Sequence, residues 1–121
     1  MKRRIMQFSF FLALSLLAGA PAHSALAQQE DQKVIPITAK RFAFTPDHVV
    51  LKRGEPVVLR LTSADVTHGF FVRPLKVDEL IEAGKTIDVK VTPETAGTFT
   101  VICHHFCGVG HGNMKMTITV E

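Results

Sequence analysis

From Val34 onward, apolar and polar residues alternate with a period of two, the spacing of a half-buried strand. Val34 to Phe42 reads as a first strand. Pro36 marks it as an edge strand, because proline has no N–H to give to a neighbour. His48 to Lys52 reads as a second strand. Arg53-Gly54-Glu55 is a turn, after which Val57, Leu59 and Leu61 alternate with Val58, Arg60 and Thr62. Thr67 to Val72 is another strand, and Val77 to Glu82 is ambiguous between a strand and a short helical turn. Ile87, Val89 and Val91 alternate cleanly with Thr86, Asp88 and Lys90, and Pro93 to Gly97 is a turn. Phe99, Val101 and Cys103 share one face of the next segment. Met116, Ile118 and Val120 share one face of the last, which begins near Met114. No stretch carries helical periodicity of useful length. Seven or so short strands separated by turn signals predict an all-β sandwich.

The first residues follow a different rule. Lys2, Arg3 and Arg4 precede an apolar run from Ile5 to Ala20, and Ala25-Leu26-Ala27 is a small-x-small cleavage site. Residues 1–27 read as a secretory signal peptide, with an uncleaved inner-membrane anchor as the alternative. The run is short for a membrane span and Pro21 follows it. Gln28 to Lys33 is a polar, flexible N-terminal segment, and residues 34–121 form one domain with no stable membrane span after cleavage. The charge changes with this division. The chain has 14 basic and 11 acidic residues. Lys2, Arg3 and Arg4 lie in the signal with no acid beside them, so the exported part carries 11 of each. Such a balance gives no electrostatic support for binding nucleic acid. Export also implies an oxidising, periplasmic setting, where two cysteines alone would suggest a disulfide.

The cysteines do not stand alone. The only two in the chain, Cys103 and Cys107, are followed by His111 and Met114 in a C-x3-C-x3-H-x2-M spacing. Thiolate, imidazole and thioether form a ligand set for copper, with the thioether as a weak axial ligand. Gly108, Gly110 and Gly112 permit tight turns between these positions. The loop lies between two predicted strands, which hold its donors nearly still. One further histidine is needed, and His68 in Asp65-Val66-Thr67-His68-Gly69-Phe70-Phe71 is the candidate.

The C-x-x-x-C-G-x-x-H-x-x-M loop with an upstream D-V-x-H resembles the dinuclear copper (CuA) domain of cytochrome c oxidase subunit II, a centre also found in nitrous oxide reductase. The likeness spans Val34 to Glu121. It implies a cupredoxin-like Greek-key β-sandwich that transfers single electrons in a respiratory chain and is not itself an enzyme. It implies two copper ions bridged by Cys103 and Cys107, with His68 and His111 each on one copper. Met114 is then the weak ligand of one copper, and the backbone carbonyl of His105 that of the other. A c-type cytochrome, or a terminal oxidase or reductase, is the implied redox partner. Oxidase subunits usually carry glutamate where this chain has His105, and an aromatic electron-entry region with tryptophan and tyrosine. This chain has no tryptophan and no tyrosine.

Two other functions fit parts of the pattern. The His104-His105 pair suits a periplasmic copper chaperone, or a copper-sequestering protein, supporting oxidase assembly. A structural zinc site would take His68, Cys103, Cys107 and His111 but leaves Met114 without a role. Haem attachment needs C-x-x-C-H, which is absent. Elsewhere, Asp65 is expected to act as a plain turn residue, or to cap or hydrogen-bond the loop that orients His68. His48 and His104 read as surface residues and Met116 as core. Phe42, Phe44, Phe70, Phe71, Phe99 and Phe106 read as core or site wall, with Phe106 excluding water from the metal.

Overall fold

A computed structural model of the chain describes residues 32–121 and the isolated position 19. Apart from position 19, the expected signal peptide, and residues 28–31 of the N-terminal segment, lie outside the described residues. Among the described residues the chain forms nine strands. These are β1 (Lys33–Lys40), β2 (Ala43–Thr45), β3 (His48–Leu51), β4 (Val57–Ser63), β5 (His68–Val72), β6 (Val77–Ile81), β7 (Thr86–Val91), β8 (Gly97–Ile102) and β9 (Lys115–Val120). Two sheets result, ordered β2-β1-β4-β7 and β3-β9-β8-β5-β6. Both are mixed: β1 runs parallel to β4, and β3 parallel to β9, while the other pairs are antiparallel. Among the described residues no helix is long and apolar enough to cross a membrane.

The alternation seen in the sequence becomes the core between the sheets. Ile37 and Ala39 of β1, Leu59 and Leu61 of β4, and Met116, Ile118 and Val120 of β9 are buried. Phe44 and Phe70 meet edge-to-face at the centre, 5.6 Å between centroids. Two strands exceed the seven expected. β2 has three residues, too few to display a period, and it pairs with β1 only over Thr38 to Lys40. That leaves the Pro36 side of β1 uncovered toward β2, so the proline sits at a local edge as its chemistry requires. The ambiguous segment Val77–Ile81 is a strand, paired with β5 from His68↔Ile81 to Val72↔Val77. The helical turn falls just before it, at Arg73–Leu75.

β8 and β9 are neighbours, with Ile102 opposite Lys115. The segment joining them is closed at its neck by the Cys103 N–H donating to the Met114 carbonyl (3.3 Å). Everything between leaves the sandwich at one end and returns to it, which places the sulfur-rich loop above β5.

Candidate metal centre

His68 is the first residue of β5 and is completely buried. A buried imidazole needs a partner, and the sequence supplies one three residues earlier. The Asp65 carboxylate accepts from His68 Nε2 (2.6 Å), from the Arg41 N–H (2.8 Å) and from its neighbour's N–H at Val66 (2.7 Å). Partial burial works against the charge, but these donors outweigh it and pull the Asp65 pKa down to about 2. An ionised carboxylate only accepts, so Nε2 carries the proton of His68. Nδ1 is then left with its lone pair free, 4.0 Å from Cys103 Sγ.

Cys103 and Cys107 are both buried and both free thiols, with their sulfurs 3.7 Å apart. A disulfide would need about 2.05 Å. The observed gap leaves both sulfurs unbonded and available to hold a metal. Cys103 Sγ also accepts from the Gly69 N–H (3.3 Å) and lies 3.2 Å from the His105 carbonyl oxygen. On the far side, Cys107 Sγ lies 3.6 Å from His111 Nδ1 and 3.8 Å from Met114 Sδ. His68, Cys103 and Cys107 bring their donor atoms within 4.8 Å of one another, and His111 falls outside that cluster. The donors therefore divide: His68 and the His105 carbonyl adjoin Cys103, whereas His111 and Met114 adjoin Cys107. Burial and the neighbouring Cys103 thiol push the Cys107 pKa up from 9.0 to about 11, so without metal it stays protonated. The donor set and its spacing fit a soft metal such as copper.

The loop's shape is fixed from outside. Gly108 and Gly110 have φ of +137° and +110°, and a Cβ on either would press against the Phe42 ring at 3.2 and 3.0 Å. Arg41 Nε donates to the Cys107 carbonyl (2.6 Å). Arg41 was not visible in the sequence, and Phe42 only as core or site wall, because both contacts join segments 66 or more residues apart. His104 is exposed, as expected, and is also held in place: its Nε2 lies 2.7 Å from the Asp78 carboxylate and its ring rests on Phe71. His48 is exposed and meets Thr119 Oγ1 at 2.9 Å. Met116 is buried in the core. Phe106 corrects the expectation made for it. It is 72% exposed, tilted against the His111 ring, and therefore does not seal the site from water. The water is excluded by the depth of the sulfurs and His68 themselves.

Residues 9–120 match the family described as cupredoxin-like domain. Over 84% of its length the chain is 31% identical to cytochrome c oxidase subunit 2 of Thermus thermophilus, covering 75% of that protein. It is 30% identical to nitrous-oxide reductase of Cupriavidus necator, again over 84% of its length, but spans only 16% of that protein. A heme-copper terminal oxidase dimer contains a chain with a TM-score of 0.68 and 27% identity, covering 78% of this chain and 68% of that one.

Proposed function

We propose, for a chain that belongs to the cupredoxin-like domain family and is homologous to the copper domains of oxidase subunit II and nitrous-oxide reductase, a dinuclear copper centre that carries single electrons. In this reading Cys103 and Cys107 would hold both ions. His68 and the His105 carbonyl complete one side, and His111 and Met114 the other. When bound, the copper pair supplies a site that takes up and returns one electron. The chain's own residues hold that site still. Asp65 fixes the ring of His68, the β8–β9 neck fixes the ends of the loop, and the buried sulfurs keep water out. Little movement between oxidation states means little reorganisation.

The observation that carries the reading is the split of donors about a 3.7 Å sulfur pair. A single zinc would gather all four Cys2His2 donors around one point; His111 stands outside the cluster formed by the other three. The exposed side chain of Phe106, tilted against the His111 ring, and that of Val109 in the same loop, 93% exposed, support contact with a redox partner such as a c-type cytochrome or a terminal oxidase. Copper delivery has less support, because His104 is held by Asp78 and Phe71. The proposed setting is the periplasm, after removal of residues 1–27.

Copper loading followed by reductive titration tests the reading. The expected result is two coppers per chain and one electron accepted per two coppers. One copper per chain accepting one electron would make it a mononuclear protein.

A further inference from the structure

The turn between β1 and β2 holds both halves of the site. The backbone N–H of Arg41 donates to Asp65, the carboxylate that orients His68 (2.8 Å). Its side-chain Nε donates to the carbonyl of Cys107 itself (2.6 Å). The next residue, Phe42, lies under Gly108 and Gly110. One residue thus touches the support of one histidine and the backbone of one cysteine, although its partners lie 24 and 66 positions away. A guanidinium is always charged. A carbonyl in the turn of a loop needs no arginine, since any N–H or a water would satisfy it. The arginine adds charge, and its Nε, 2.6 Å from the Cys107 carbonyl, fixes that charge at the backbone of a ligand residue.

We infer that Arg41 is a positioning residue for the metal centre, clamping the Cys107 end of the ligand loop and holding a fixed positive charge at the Cys107 carbonyl. The inference rests on the copper reading above. Reduction of the loaded site takes one electron from a donor protein and breaks no bond in the chain. The site becomes one unit more negative, and a nearby positive charge favours that state. Lysine keeps the charge but lacks the planar fork that places Nε on the carbonyl.

The test compares the full chain with its R41Q and R41K variants, each checked for native far-UV circular dichroism. In the copper-loaded proteins, R41Q shifts the oxidised-to-reduced ratio at fixed potential by about tenfold toward oxidised, equal to about 59 mV for one electron, and R41K restores most of it. In the copper-free proteins, amide exchange across residues 103–114 rises about tenfold in R41Q and recovers only in part in R41K. Faster exchange with an unchanged potential makes Arg41 a structural clamp alone and overturns the charge role. Unchanged exchange and potential overturn the inference entirely. A wild-type protein that forms no two-copper site defeats the copper reading instead; unchanged exchange in R41Q would then also defeat the clamp, and a tenfold rise would uphold it.

Discussion

Asp65 decides which nitrogen of His68 faces the sulfurs. Its carboxylate accepts a hydrogen bond from the Nε2 N–H and leaves Nδ1 toward Cys103. Asparagine keeps the shape but can offer its NH2 to the ring, allowing the other tautomer. Asp65→Asn is expected to weaken copper affinity by about 10–100-fold while leaving the fold intact. Competition against a copper(I) chelator measures this, and an unchanged affinity would deny Asp65 its orienting part. Asp65 was legible in the sequence only as a turn residue or a cap on the loop before His68, and its direct bond to the ring was not. What the sequence lacked was the depth of His68, which turns a nearby carboxylate into a required one. The four loop donors were legible as a set because their spacing is local. Arg41 was not, since nothing in Lys40-Arg41-Phe42 points to a carbonyl 66 residues ahead. Phe106 was misread because aromatic character suggests burial, whereas the tip of a glycine-rich loop has nothing to bury it against.

The ligand loop lies directly on β5, and the closest approach is at Gly69. A Cβ there would lie 2.2 Å from His104 Nδ1 and 2.7 Å from the backbone nitrogens of His104 and His105. The side chain could turn away, but the two backbone atoms could not without moving the loop. Gly69→Ala should therefore cost about 1–3 kcal/mol and disturb the Gly69 N–H bond to Cys103 Sγ. Gly112→Ala meets open space and should stay within about 0.5 kcal/mol. Thermal melts of the copper-free proteins compare them; equal losses would place the loop further from β5 than described. The longer strands were legible because one face is buried and the other wet, as in β9. β6 was ambiguous because Val77 and Ile81 are four apart, a spacing shared by helix and strand; its pairing with β5 decides the matter. β2 was too short to announce itself, and only its register with β1 defines it.

The fold as a unit keeps two thiols buried and, without metal, holds that of Cys107 protonated. The Cys107 pKa is higher in the folded chain than in the unfolded one, at about 11 against 9.0. The folded state therefore binds more protons between those values, and stability falls as pH rises through that window. Chemical denaturation of the copper-free protein should show full stability below about pH 9 and a decline toward pH 11. Copper loading, which requires thiolates already, should flatten that decline; an equally steep fall with copper bound would mean that the metal does not sit on Cys107. The sandwich was legible from periodicity, and its two mixed sheets were not, since parallel pairing of β1 with β4 and β3 with β9 leaves no local mark. What the sandwich builds at its loop end is a pair of sulfurs with a histidine on each side. Electron paramagnetic resonance of the copper-loaded, partly reduced protein reads that arrangement directly. One unpaired electron shared by two equivalent copper nuclei gives a seven-line hyperfine pattern and one spin per two coppers, which is the result expected. A four-line spectrum with one spin per copper would contradict it.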